Sequence, residues 1–153
     1  MERIASFEVD HRFITEGIYI SRIDGDITTY DLRTRKPNCG DFMSDSTMHT
    51  FEHLFATYVR NSDIGKKVIY FGPMGCATGF YLLVRNAEHG ETLKTVMWVL
   101  EKIIAHTGEV FGNSEIECGN YKSLRLSSAV SEAEKYLSVL KSKENWDFKY
   151  PTE

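Results

Sequence analysis

The stretch His49-Thr50-Phe51-Glu52-His53 places two imidazoles and a carboxylate within five residues. On a helix, residues four apart share a face. His49 and His53 would then lie about 40° apart around the axis and one turn apart along it. Both rings can reach a single ion at about 2.0–2.1 Å from such positions. Glu52 would border the same site from the other side without being needed as a ligand. The order His-x-x-Glu-His is the inverted zinc motif. The same spacing also suits the polar edge of an ordinary helix, so a metal reading needs a third ligand from elsewhere in the chain.

Cys118 is a candidate for that ligand, because it sits in a loop, Ile116-Glu117-Cys118-Gly119-Asn120, whose glycine lets the backbone bend to present a thiolate. Glu117 beside it is an alternative, and a buried structural cysteine is the plainer reading of Cys118. Two histidines and one cysteine with an open fourth position form a catalytic geometry, whereas structural zinc sites are closed by four protein ligands. Cys76 lies between Gly72, Gly75 and Gly79 directly after an apolar strand. A thiol displayed there near a cation is a competent general base or nucleophile; otherwise it is a small core residue in a tight turn. Cys39, beside Asn38 and Gly40, has no partner pattern and reads as incidental.

The elements that must position these residues follow from periodicity. Gly17 to Ile23 alternates and Ile27 to Leu32 is β-branched and aromatic, with Asp24-Gly25-Asp26 as turn, so the pair reads as a hairpin. Ser44-Asp45-Ser46-Thr47 offers N-cap oxygens for a helix from about Ser46 to Arg60, which carries the two histidines. Val68 to Phe71 and Phe80 to Val84 read as buried strands flanking the Cys76 loop. Leu93, Val96, Met97, Leu100, Ile103 and Ile104 recur at helical spacing over about Glu91 to His106, with Gly108 as a stop. A last helix spans about Ser128 to Lys143. Strand pairs separated by helices predict an α+β fold, a mostly antiparallel sheet with helices packed on one face, in a single domain over residues 1–153.

With 42% hydrophobic and 26% charged residues the chain has the balance of a folded domain. Its formal net charge of −4 argues against nucleic acid and anionic membranes as partners. The opening Met-Glu-Arg-Ile-Ala-Ser-Phe-Glu has early acids and no apolar run of signal-peptide length, and nowhere do about 18 apolar residues run together. Three widely spaced cysteines do not make a disulfide framework. A cytoplasmic protein with free or metal-bound thiols is the expectation.

Four stretches, Ser6 to His11 (SFEVDH), Tyr30 to Arg33 (YDLR) with Pro37-Asn38, His49 to His53 (HTFEH) and Pro73 to Leu82 (PMGCATGFYL), occur in that order, followed by Glu117-Cys118-Gly119-Asn120. Taken together they identify a chain that resembles the LuxS family of S-ribosylhomocysteine lyases along nearly its whole length. The resemblance implies an α+β homodimer with active sites at the subunit interface, lined in part by the partner. It implies one divalent metal per subunit, Fe(II) with zinc or cobalt as substitutes, held by His49, His53 and Cys118. Cys76 and Glu52 would form the acid/base pair, and Ser6, His11 and Arg33 would line the substrate pocket. The implied reaction moves the sugar carbonyl by two proton shifts, then expels homocysteine by β-elimination to leave 4,5-dihydroxy-2,3-pentanedione, the autoinducer-2 precursor.

The chain departs from the family pattern at two positions. Where the family usually has Asp, in a run such as Asp-Ile-Ser-Pro, this chain has Tyr70 in Tyr70-Phe71-Gly72-Pro73, and Thr34 replaces the Phe that often follows the family's Arg. The Asp is expected to hold the charged homocysteine end, so Tyr70 alters that anchor. Arg60, seven residues after His53 and about 10.5 Å further along the same helix face, is either a partner for the substrate carboxylate or a solvated surface arginine. Two competing functions remain at this level: a metallopeptidase built on His-x-x-Glu-His, with Glu52 activating water and a carboxylate as third ligand, and a non-catalytic metal-binding module with four protein ligands.

Overall fold

A computed structural model describes residues 1–153. Its elements run β1 (Gly17–Asp24), β2 (Ile27–Arg33), α1 (Asp45–Arg60), β3 (Val68–Pro73), β4 (Gly79–Arg85), α2 (His89–Ile104) and α3 (Leu126–Lys141). The four strands form one antiparallel sheet in the order β1-β2-β4-β3. The two hairpins expected from the sequence are thus joined through β2 and β4, as an α+β fold requires.

Strand pleating sorts the side chains by face. Ile18, Leu32 and Phe80 are in register across β1, β2 and β4, as are Ile20, Tyr30 and Leu82, which continues to Phe71 on β3. These residues meet the helices. Phe51 and Phe55 of α1 stack on Phe80 and Phe71 at centroid separations of 4.7 and 4.1 Å. α2 and α3 close the same core with Val96, Val99, Leu100, Ile103, Ala133 and Leu140. Burying a large apolar side chain contributes about 1.5–3 kcal/mol, so this aromatic stack holds α1, and with it the two histidines, firmly on the sheet.

Tyr19, Asp31 and Tyr81 are also in register, and the pleat turns them to the opposite face. The chain after α3 covers part of that face. The Phe148 carbonyl accepts from Ile20 N–H at 2.8 Å, Trp146 Nε1–H donates to the Leu140 carbonyl at 3.0 Å, and Tyr150 stacks on Tyr19. Gly17 makes room for this strap: a Cβ there would lie 2.7 Å from Trp146 and 2.8 Å from the Tyr19 hydroxyl. Gly17→Ala is expected to displace Trp146 and cost about 1–3 kcal/mol by overpacking, read as a lower urea midpoint with an unchanged slope.

The helices start and stop slightly off the expected positions. Ser44 caps α1 by accepting from Thr47 N–H, so the helix begins at Asp45. α2 begins at His89 because the Glu88 carboxylate accepts from the Gly90 and Glu91 amides. It ends at Ile104, four residues before Gly108, whose φ of +86° turns the loop beyond. α3 starts at Leu126, two residues before the sequence estimate, without a side-chain cap.

Candidate metal centre and active site

α1 presents His49 and His53 one turn apart on a half-buried face, with the rings edge to face at 4.6 Å. The loop after α2 brings Cys118 to them. One ligand atom from each of His49, His53 and Cys118 falls within a single group spanning no more than 4.8 Å, and Cys118 Sγ lies 3.4 Å from His49 Nε2. Tetrahedral sulfur and nitrogen ligands at about 2.3 and 2.1 Å from a zinc-like ion stand roughly 3.5 Å apart, so the donor set fits one metal.

The hydrogen bonds on the far side of each ring assign the tautomers. His53 Nδ1 faces the Phe111 carbonyl at 2.7 Å, and a carbonyl only accepts, so Nδ1 carries the proton and Nε2 keeps its lone pair. Ser123 Oγ donates to the Asn120 carbonyl and lies 2.6 Å from His49 Nδ1, which makes it the acceptor there and leaves His49 Nε2 free as well. Such outer partners orient metal-binding histidines and raise their basicity. Gly112, at φ +72°, brings the loop close: a Cβ on it would sit 3.1 Å from His53 Nδ1. The Asn120 amide donates to Cys118 Sγ at 3.4 Å. Burial, reinforced by the neighbouring His53 and opposed by Glu52, moves the His49 pKa down and keeps the ring neutral. Glu117 does not join the group; its carboxylate accepts from Ser114 Oγ at 2.5 Å.

Glu52 Oε2 stands 3.9 Å from His53 Nε2. It shares a cavity of about 370 Å³ with Arg60, Tyr70, Phe71 and the adjoining turn of α1. Arg60 therefore borders the Glu52 site, and its Nη2 lies 3.4 Å from the Ile69 carbonyl.

Cys76 is exposed at the tip of the β3–β4 hairpin. The residue there with left-handed backbone is Ala77, at φ +60°, rather than any of the flanking glycines. That conformation is uncommon for a residue with a Cβ, and the chain is held in it by hydrogen bonds from Met43 N–H to the Ala77 carbonyl and from Ala77 N–H to the Met74 carbonyl. A cavity of about 360 Å³ joins Cys76 to Ser6, His11, Arg33 and Tyr81. Arg33 is almost fully buried, paired with Asp31 at 2.6 Å, and its Nη1 donates to Thr78 Oγ1 at 2.8 Å while lying 3.9 Å from Cys76 Sγ. Burial opposes the Arg33 charge, but Asp31 outweighs it and raises the pKa.

The chain thus brings together His49, His53 and Cys118, with Glu52 and Arg60 alongside, and separately Ser6, His11, Arg33 and Cys76. The two groups line different cavities. Sequence reasoning missed Ser123, the Phe111 carbonyl, Asp31 and Thr78. Only Asp31 carried a readable signal, as an acid two residues from Arg33 on one strand face.

Two imidazoles and one cysteine sulfur within reach of a single ion, with no fourth His, Cys or carboxylate in the group, make a donor set of the kind found at mononuclear catalytic metal sites, here on an α+β domain. The family model described as S-ribosylhomocysteinase (LuxS) matches residues 4–146. The chain is 39% identical to the S-ribosylhomocysteine lyase of Borreliella afzelii (strain PKo), over 99% of this chain and 100% of that one. It is 40% identical to the enzyme of that name from Finegoldia magna, over 99% of each chain, and 41% identical to that of Clostridium beijerinckii, over 90% and 91%. The chain belongs to the S-ribosylhomocysteinase (LuxS) family.

Proposed function

We propose that the protein cleaves S-ribosylhomocysteine to homocysteine and 4,5-dihydroxy-2,3-pentanedione. The observation that carries this reading is the His49–His53–Cys118 corner with its two ring nitrogens held ready by Phe111 and Ser123, in a chain of this family. When bound, a divalent metal supplies Lewis acidity that stabilises negative charge developing on the sugar oxygens. Iron(II) is the ion we assign, with zinc or cobalt able to occupy the same imidazole–thiolate set.

Cys76 removes and returns protons at the early sugar carbons. Arg33 places its guanidinium beside that sulfur, with Nη1 3.9 Å away. Glu52, beside His53, exchanges protons with the sugar hydroxyls and takes the carbon proton lost in the elimination, then returns it to the sulfur as the carbon–sulfur bond breaks and homocysteine leaves as its thiol. Ser6 and His11 line the Cys76 cavity and position the sugar end. Arg60, next to Tyr70, meets the homocysteine carboxylate, and Tyr70 replaces a charged anchor with an aromatic one. Because Cys76 and Glu52 open onto different cavities of one chain, we infer a homodimer in which each active site draws on both protomers. No helix is long and apolar enough to cross a membrane, and the three free cysteines suit the reducing cytoplasm.

A peptidase of the inverted motif needs a carboxylate third ligand, and here the third donor is sulfur. The deciding experiment is incubation of anaerobically Fe(II)-loaded protein with S-ribosylhomocysteine and a colorimetric thiol readout. One equivalent of homocysteine per substrate is expected; a loaded protein that releases no thiol would overturn the assignment.

A further inference from the structure

The strap formed by the last residues ends on the buried charges behind Cys76. Phe148 bonds the edge of β1, and Trp146 is tied to the end of α3. Tyr150 then reaches over the sheet face opposite the helices, stacks on Tyr19 at 4.9 Å, and its hydroxyl donates to Asp31 Oδ2 at 2.7 Å. The same oxygen accepts from Arg33 Nη2 at 2.6 Å, and Asp31 Oδ1 accepts from Arg33 Nε at 3.1 Å. A continuous chain of contacts therefore runs Tyr150–Asp31–Arg33–Cys76, with its two central side chains almost completely shielded from solvent.

We propose that Tyr150 is a positioning residue for Cys76: its hydroxyl fixes Asp31, and Asp31 in turn holds Arg33 with Nη1 turned to the Cys76 sulfur. The proposal rests on the reading of Cys76 as the proton-transfer group. The physical argument concerns how one carboxylate charge is shared. With both Tyr150 and Arg33 donating to it, part of the Asp31 charge is met by the phenol, and more of the guanidinium's positive potential remains for the thiolate. Without the phenol, Asp31 draws fully on Arg33, and its negative charge is felt more strongly at the sulfur. Burial, followed by the Asp31 carboxylate, raises the Tyr150 pKa, so the phenol stays a donor throughout the working pH range.

Tyr150→Phe keeps the stacked ring and removes only the hydroxyl. Tyr19→Phe is the control, since its hydroxyl sits in the same stack but donates to the Thr15 carbonyl at 2.8 Å and not to Asp31. The metal-loaded proteins are alkylated with iodoacetamide, and modification of the Cys76 peptide is followed by mass spectrometry at pH 7 and pH 9.5. His11 and Tyr81, the other titrating groups in the Cys76 cavity, are unchanged in both variants and cancel in the comparison. At pH 7 Tyr150→Phe is expected to slow alkylation by about 3- to 10-fold. At pH 9.5 the rates converge, and Tyr19→Phe stays within about twofold of wild type throughout. The turnover number of Tyr150→Phe falls in parallel with KM unchanged. Equal alkylation rates at pH 7, or a deficit that persists at pH 9.5 or appears equally in Tyr19→Phe, would overturn the proposal. The readout does not depend on turnover: if Cys76→Ala proves active, the role of Cys76 fails while the alkylation result still decides that of Tyr150.

Discussion

Cys76→Ala is expected to lose homocysteine release by about 10³-fold or more in turnover number, while binding its metal as the wild type does. A positioned acid/base group contributes about 10²–10⁴-fold, and Cys76 serves more than one proton transfer in the proposed sequence. The side chain is exposed at a hairpin tip and fills no core volume, so its removal leaves the aromatic stack and α1 untouched. Glu52→Gln should fall by a comparable factor, because the amide keeps the shape but cannot take a proton. The two variants are expected to fail at different steps. Cys76→Ala stops before the first carbonyl shift and returns substrate unchanged, whereas Glu52→Gln accumulates a ketose intermediate from which thiol is not released. Stopped reactions analysed by carbon NMR would separate them. Wild-type-like thiol release from either variant would remove that residue from the mechanism.

The order in which such residues became readable follows how local their signals are. His49 and His53 announce themselves because a helix makes four-residue spacing a contact, and the helix was visible from the cap residues at its start. Cys118 is 69 residues from His49, and no periodicity links them; the resemblance to a family supplied that pairing, and the ligand atoms then lie close together. Ser123 and the Phe111 carbonyl act through loops whose course depends on tertiary packing. Their roles rest on one hydroxyl and one backbone oxygen, which carry no composition signal. The strands were read nearly whole, since β1 alternates and the other three are short β-branched, aromatic or apolar runs. α2 began earlier than expected because Glu88 does the work of a cap that Ser, Thr, Asp or Asn usually performs. The strap after α3 had no repeat to mark it, and its meaning emerges only where Tyr150 meets Asp31.

Metal retention gives the second large effect, and it distinguishes a ligand from the residues that aim a ligand. Cys118→Ala removes the only sulfur donor and leaves two imidazoles, so it is expected to weaken metal binding by well over about 100-fold and abolish turnover with it. In the cobalt-loaded protein the loss is visible directly, since the sulfur-to-cobalt charge-transfer absorption in the near ultraviolet disappears. Ser123→Ala takes away the acceptor 2.6 Å from His49 Nδ1 but no donor to the metal. Loss of such an orienting partner costs about 10–100-fold in affinity, and the charge-transfer band should persist at saturating cobalt. Acidification tests the same centre from the proton side. With its pKa held down by burial, His49 stays neutral near pH 7, and protons compete for that ring only below the ordinary histidine range near 6.5. Cobalt affinity is therefore expected to fall increasingly steeply as pH drops below that range, read by titration of the cobalt absorption band. A Cys118→Ala protein that keeps both the absorption band and its cobalt would show that the sulfur is not a ligand, and the active-site assignment built on it would go with it.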